Sequence, residues 1–311
     1  MMDRRHFGGT LLAAITAITA IATAPAARAA LLATQKIQDR LPRLKPDPRR
    51  WNFREIEAAL GGGRLGVAVV DTGRGTVAGH RANERFPMCS TFKWLAAAHV
   101  LRRVDDGSES LQRRVAVTQA DVVEYAPVAG PHVGGDMTMA EICEAAVTQS
   151  DNIAGNLMLA SFGGPAGLTR YVRGLGDDVT RFDRNEPSLN EARPGDPRDT
   201  TSPAAMAGLL RAHVLGPALS DAGREQITRW LLDCRTGAER LKAGLPADWR
   251  IGDKTGTGSL GTSNDVGVIW PAGGGAPIVV ATFVTGTRAS AEKRNAAIAA
   301  VGRMVAAKSA G

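Results

Sequence analysis

Several chemistries are missing from this chain. It carries 5 histidines and 3 cysteines in 311 residues, and His80, His99, His132 and His213 are scattered without the spacing that gathers a metal. It has no H-E-x-x-H, no C-x-x-C, no Walker sequence and no G-x-S-x-G. Those absences speak against a zinc hydrolase, a dithiol redox protein, a phosphate-loop enzyme and a nucleophile-elbow hydrolase, and no metal or cofactor is implied. Gly61–Gly66 fits G-x-G-x-x-G, but it runs into the strand-like Leu65–Val70 instead of opening a helix, so it reads as a turn and not as a dinucleotide site. Lysine is scarce too: only 7 of the 38 basic residues are lysines. The net charge of +7 is spread among acids without a basic run, which argues against a nucleic-acid partner.

Long apolar runs are confined to the amino terminus. Met2-Asp3-Arg4-Arg5-His6-Phe7 leads into an alanine-rich stretch ending at Ala27-Arg28-Ala29. A charged head, an apolar middle and a small-x-small ending describe a secretory signal, not a membrane span. The paired arginines suit a twin-arginine route, with an ordinary Sec signal as the alternative. Cleavage after residue 29 would remove three Arg and one Asp and leave a net charge of +5. The expectation is an exported chain, periplasmic or secreted, with no stable membrane association and a monomeric state.

Four short stretches carry the chemistry: Ser90-Thr91-Phe92-Lys93, Ser150-Asp151-Asn152, Glu186-Pro187-Ser188-Leu189-Asn190 and Lys254-Thr255-Gly256. Each is weak alone, because an isolated Ser-x-x-K is more often a solvated helix lysine. Together they share a logic. A serine hydroxyl needs a base within hydrogen-bond reach to become a nucleophile. If Ser90 opens a helix, Lys93 falls one turn later on the same face. Burial beside another cation can lower a lysine pKa, whereas arginine stays protonated. Two of the scarce lysines, Lys93 and Lys254, fall in these stretches. Thr255, Gly256 and Thr257 read as a strand edge, with glycine removing bulk where a ligand approaches. The 181–199 segment holds three prolines and a glycine, so it is neither helix nor strand. A compact loop of that length is usually functional.

Ser-x-x-K, S-D-N and K-T-G in this order are the signature of serine enzymes acting on penicillin-like acyl groups. With the Glu186 element, the chain resembles a class A β-lactamase over nearly all of its length after residue 29. The resemblance implies hydrolysis of the β-lactam amide through a serine acyl-enzyme, with a small-molecule β-lactam as the partner. It implies catalytic roles for Ser90, Lys93, Ser150, Glu186 and Lys254. Ser150 would carry a proton to the leaving nitrogen, and Lys254 would hold the Ser150 hydroxyl and attract the substrate carboxylate. The backbone N–H groups of Ser90 and Thr257 would form an oxyanion hole. Glu186 would activate the hydrolytic water with Asn190, within an Ω-loop braced by Asn156 and closed by an Arg184–Asp199 pair. Substrate contacts would come from Asn152, Tyr125, Thr255, Gly256, Thr257 and Arg240. Arg240 is favoured because the other position where relatives carry a carboxylate-binding arginine is Ser263 here.

Three cysteines in an exported chain leave at least one thiol free, and the bridges of the family lack their partners here. By the resemblance, the position matching the bridge partner of Cys89 is Gly258, and that matching the partner of Cys143 is Ala97. Both read as buried and reduced.

The expected fold class is α+β, with an antiparallel sheet flanked by helices and built by both chain ends, plus an all-α domain. After an export signal over 1–29, the expected boundaries are 30–88 with 233–311 for the discontinuous α/β part, and 89–232 for the helical part. Leu65–Val70 with Thr76–His80, and Asn264–Trp270 with Pro277–Val284, read as hairpins. Apolar spacing near 3.6 marks helices over Lys93–Val104, Ala140–Gln149, Asn152–Ala160, Pro203–His213 and Ala289–Ala307. Two other functions share Ser-x-x-K. A penicillin-binding transpeptidase or carboxypeptidase would release the acyl group slowly, and a non-turnover β-lactam sensor would stay acylated. Glu186 in its loop argues against both.

Overall fold

The computed structural model describes residues 43–309. The region read as an export signal lies outside them. Among the described residues no helix is long and apolar enough to cross a membrane.

Six strands form the main sheet: β1 (Lys45–Pro46), β2 (Arg64–Asp71), β3 (Thr76–His80), β4 (Arg250–Gly258), β5 (Thr262–Trp270) and β6 (Ile278–Thr285). Their order is β1-β3-β2-β6-β5-β4, antiparallel except for the short β1–β3 pair. Strands from the two ends of the described chain therefore meet at β2–β6, where Val67 pairs with Thr282 and Ala68 with Ala281. The β-branched composition of β2 and β6 suits a pleated surface that is covered on both faces. Period-2 alternation divides their side chains between two cores. Leu65, Val67 and Val69 face one side with Ile278 and Val280, under α1 (Phe53–Ala59) and α8 (Ala291–Ser309). Ala68 and Val70 face the other side with Val279, Ala281 and Phe283, against a helical body.

That body comprises α2 (Phe92–Asp105), α3 (Met139–Thr148), α4 (Asn152–Ser161), α5 (Gly164–Gly174), α6 (Pro203–Leu210) and α7 (Asp221–Leu232). At its centre α2 is buried without a break from Phe92 to Ala98, so it is apolar nearly all round instead of amphipathic. The single charged member of that run is Lys93. Local signals set the helix starts. Thr138 and Glu141 form a capping box at α3, with the Glu141 carboxylate accepting from the Thr138 N–H at 2.7 Å. Asp151 caps α4 by accepting from the Ala154 N–H at 2.9 Å.

The strand pairs and helices agree with the sequence reading to within a few residues, with one difference. The helix expected over Pro203–His213 is regular only to Leu210 and then widens into a π-turn, Arg211–Leu215. There the His213 Nδ1–H lies 2.8 Å from the Leu209 carbonyl, four residues back, so a side chain competes for the backbone acceptor.

Candidate active site

The nucleophile candidate sits where two motifs converge. Ser90 lies in a 3-10 turn, Cys89–Thr91, that runs directly into α2. The turn is held from outside itself. The Asn264 side-chain amide donates to the Pro87 and Met88 carbonyls at 2.9 and 3.0 Å, and the Met88 N–H donates to the Asp199 carbonyl at 3.0 Å. Strand β4 passes so close that a Cβ on Gly256 would stand 2.6 Å from the Met88 carbonyl oxygen. Only glycine permits that approach. Cys89, Tyr125 and Ser150 all hold positive φ, of 48°, 60° and 61°. Sparsely populated backbone of this kind costs of order 1–3 kcal/mol per residue and concentrates at functional sites.

Around Ser90 the side chains form one connected network. The Lys93 ammonium donates to Ser90 Oγ at 3.0 Å, to the Ser150 carbonyl at 2.7 Å and to Asn152 Oδ1 at 2.6 Å, and it lies 3.0 Å from Glu186 Oε1. The Ser90 hydroxyl donates to Glu186 Oε1 at 2.9 Å. Lys254 donates to Ser150 Oγ at 3.0 Å and to the Thr255 carbonyl at 2.9 Å. Lys93 and Lys254 are both fully buried. Burial pulls the Lys93 pKa below the usual lysine value against the opposing charge of Glu186. Burial is also the largest cause of the fall at Lys254, to about 8, with Lys93 and Arg240 pushing the same way. Gly155 makes room for the first lysine, since a Cβ there would meet Lys93 Cε at 2.8 Å.

Glu186 is placed from α4 and from its own loop. Asn156 brackets its backbone, accepting from the Glu186 N–H at 2.9 Å and donating to the Glu186 carbonyl at 3.0 Å. Asn190, in the short turn Ser188–Asn190, donates to Glu186 Oε2 at 2.5 Å, and its own Oδ1 is buried with no protein partner. The loop's neck is tied at Asp199, which accepts from the Asp183 and Arg184 N–H groups at 2.8 and 3.0 Å and from Arg184 Nε at 2.6 Å.

These groups border a cleft of about 350 Å³ lined by Ser90, Tyr125, Ser150, Asn152, Asn190, Thr236, Arg240, Thr255, Gly256 and Thr257. Tyr125 stands at the mouth, 60% exposed. Arg240 is nearly buried in the wall, donating to the Gly256 and Asn264 carbonyls, to Thr257 Oγ1 at 2.7 Å and to Asn295 Oδ1 at 3.1 Å. A larger hollow of about 660 Å³ lies elsewhere, between Arg64, Arg85 and the 192–197 stretch. It holds no serine, lysine or histidine, so nucleophilic chemistry belongs to the smaller cleft.

The structure brings every sequence-predicted catalytic candidate into one network and the predicted binding residues to its rim. It adds members that sequence reasoning missed. Thr236 lines the cleft and pairs with the Thr255 hydroxyl. Asn264 sits across from Gly256 in the β4–β5 register, which the predicted strands contained but only the pairing reveals. Asp151 does more than spell a motif: its Oδ2 accepts from the Val128 and Ala129 N–H groups, both at 2.9 Å, and fixes the loop that carries Tyr125. Cys89, Cys143 and Cys234 are free thiols. Cys89 Sγ lies 2.6 Å from where a Cβ on Gly258 would be, so the missing bridge partner is a glycine in contact. Among the described residues no group of three or more His, Cys, Asp and Glu side chains could hold a metal.

Residues 48–308 match the Beta-lactamase2 family, the beta-lactamase enzyme family. Beta-lactamase CTX-M-25 of Escherichia coli is 48% identical over 244 residues, covering 78% of this chain and 84% of that one. Beta-lactamase AST-1 of Nocardia asteroides is 48% identical over 259 residues, covering 83% and 82%. Among solved structures, an ancestral (GNCA) class A beta-lactamase superposes with a TM-score of 0.81 at 58% identity, covering 83% of this chain and 98% of that one. A putative class A beta-lactamase, PenP from Rhodopseudomonas palustris, gives 0.80 at 55% identity, with the same coverage.

Proposed function

The chain belongs to the class A β-lactamase family, and from that premise we propose how its residues divide the work. The protein is a serine hydrolase of β-lactams and confers resistance to them. The transpeptidase and sensor alternatives are not favoured. What remains to be assigned is the role of each side chain.

In the proposed mechanism Ser90 Oγ attacks the lactam carbonyl. The oxygen–carbon bond forms as the Ser90 proton leaves along the hydrogen bond to Glu186, whose oxygen is the acceptor already in line at 2.9 Å. Lys93, donating to both Ser90 Oγ and Glu186, stabilises the negative charge that moves between them. When the carbon–nitrogen bond breaks, Ser150 gives the nitrogen its proton, and Lys254 at 3.0 Å supports the developing alkoxide until the proton taken up by Glu186 is returned to Ser150, which leaves Glu186 ionised for the second half-reaction. The N–H groups of Ser90 and Thr257 would receive the carbonyl oxygen. Arg240 and the Thr255 and Thr257 hydroxyls line the polar end of the cleft, with the Lys254 charge buried behind Ser150, and that end suits the substrate carboxylate. In the second half-reaction a water donating to Glu186 and to the unserved Asn190 Oδ1 attacks the ester, and the Ser90 oxygen takes back a proton. The 181–199 segment, tied at Arg184–Asp199 and braced by Asn156, is the Ω-loop of this reading. Residues 1–29 are read as an export signal delivering a monomer to the periplasm or the medium, and 89–232 as a helical domain set against the sheet.

The observation that carries this reading is the single network Ser90–Lys93–Glu186–Ser150–Lys254. Its test is to separate the two half-reactions. Glu186→Ala should slow ester hydrolysis by about 10²–10⁴-fold. Acylation should suffer less, because Lys93 still touches Ser90. Intact-mass measurement after mixing with a penicillin should show a long-lived adduct of one ligand mass, absent in Ser90→Ala. Steady turnover by Glu186→Ala without an accumulated adduct would move the deacylating base elsewhere.

A further inference from the structure

Two carboxyl groups lie behind the cleft with no part in the reaction proposed for it. Asp253 and Asp265 are 2% and 0% exposed. The β4–β5 register sets Thr255 opposite Asp265 and Asp253 opposite Gly267, so the two aspartates are diagonal neighbours on one face, the face opposite the Lys254 side chain. The two buried carboxyls are near enough for each to act on the other's ionisation. Ionised carboxylates are acceptors only, so neither can satisfy the other unless one of the pair holds a proton. Asp253 Oδ2 and Asp265 Oδ1 are buried with no donor from any other residue. Asp265 Oδ2 accepts from the Leu241 N–H at 3.0 Å, and the Cys234 thiol near Asp253 pairs with Thr236 Oγ1 at 3.4 Å. The chain from Cys234 to Leu241 passes directly over the pair. A Cβ on Gly237 would stand 2.0 Å from Asp253 Oδ2, so only glycine fits there. That same stretch supplies Thr236 and Arg240 to the cleft wall.

We propose that Asp253 and Asp265 share one proton and act as positioning residues, holding the 234–241 segment, with Thr236 and Arg240, against the substrate cleft. Burial raises both carboxyls above the ordinary aspartate range, and at Asp265 the neighbouring Asp253 adds to the rise. The titratable and charged groups that act on them are Arg240 and Lys242 on the covering segment, Lys254 from the other face of β4, the Cys234 thiol after α7, and Arg294 of α8 beyond Arg240. With one proton, the pair presents a single negative charge to these cations. Loss of that proton leaves two carboxylates side by side without water. The strands beneath are held by their paired backbones, so the covering segment is the side that yields.

The consequence is a KM for penicillins that rises at alkaline pH while kcat changes less. It rests on the reading that Arg240 contacts the substrate. The test compares KM and kcat from neutral to alkaline pH for the full protein, Asp265→Asn and Asp253→Asn. Each amide keeps one negative charge in the pair and supplies a permanent N–H donor in place of the shared proton. Both variants should match the parent KM at neutral pH and lack its alkaline rise. Lys254, which titrates at about 8, contributes to all three profiles, so the difference isolates the pair. At neutral pH the infrared spectrum of the parent should contain a protonated-carboxyl stretch that either variant loses. Superimposable KM profiles, or no such band in the parent, would overturn the proposal. If Arg240→Ala leaves KM unchanged, the Arg240 reading fails alone, and the infrared band still reports on the proton.

Discussion

Ser90 is poised by its neighbours and not by any property of its own. Lys93 can serve it only because the buried start of α2 keeps an ammonium out of water, where its charge is costly unless paired. Glu186, Ser150 and Asn152 supply that pairing. The sequence made these residues legible because catalysis needs fixed residue types at fixed local spacing, and Ser90 to Lys93 is one helical turn. It could not reveal Thr236 or Asp265, which matter through contacts made across the fold. A carboxylate within a strand such as Asp253 reads as exposed until the covering segment is seen. Arg240 stands between these cases, predicted by resemblance and found nearly buried in the cleft wall with its guanidinium already hydrogen-bonded. If it also meets the substrate carboxylate, Arg240→Ala removes a charge-assisted contact worth roughly 1.5–3 kcal/mol. Steady-state kinetics should then show KM for a penicillin raised at least about tenfold, with a smaller fall in kcat. An unchanged KM would leave Lys254 and the threonines to hold the carboxylate alone.

Among the elements, the 181–199 loop depends most on a few bonds. Its one helical piece is the short turn Ser188–Asn190, and Asp199 sustains its neck from a left-handed backbone position, φ 54°. The same residue's carbonyl accepts from the Met88 N–H beside the nucleophile turn, so the loop and Ser90 share an anchor. Asp199→Ala leaves the Asp183 and Arg184 N–H groups and the Arg184 Nε without their acceptor, although Arg184 keeps Glu191, and unsatisfied groups in part-buried places cost about 1–3 kcal/mol. We expect the melting temperature to fall by several degrees. Deacylation should slow as Glu186 loses its fixed position, read as a longer-lived acyl adduct in burst kinetics. A variant with parental acyl lifetime would separate the neck from catalysis. Elements of this loop type are hard to read from sequence, because proline and glycine mark where helices and strands stop without saying what the segment packs on. The hairpins and helices were easier, since β-branched runs and a 3.6 repeat state their own periods. The helix after Pro203 marks the limit: nothing in its apolar spacing announces that His213 will compete for a carbonyl.

For the molecule as a whole, the helical core hides a titratable cluster. His213 accepts from the Tyr171 hydroxyl at 2.7 Å, and the His99 ring stacks on Tyr171 with centroids 4.1 Å apart. Burial lowers both histidines to about 4. An unfolded chain binds these protons below the ordinary histidine value of 6.5, whereas the folded one binds them only below about 4. Stability therefore falls as pH drops through that window, by up to about 3 kcal/mol for the fully buried His213. Glu57, held near 2 chiefly by Arg81, adds its loss lower, between its ordinary value of 4.5 and 2. Melting temperature against pH should decline from about 6.5 downward, and His213→Gln, which keeps an acceptor for Tyr171, should flatten the upper part of that decline. An identical slope in the variant would place the acid sensitivity elsewhere.

The strand order has a consequence for how the protein comes into being. β6 lies between β2 and β5, so the last strand to leave the ribosome joins the first long one to the pair bearing Lys254 and Gly256. Until Ile278–Thr285 has been synthesised, the earlier strands lack the partner that closes the sheet. The nucleophile and its base can exist in a nascent chain that still has no assembled cleft. Closing such a distant pairing is intrinsically slow. Translation-arrested chains ending before Ile278 should accordingly fail to turn over a chromogenic cephalosporin, and activity in them would show that the closing strand is dispensable.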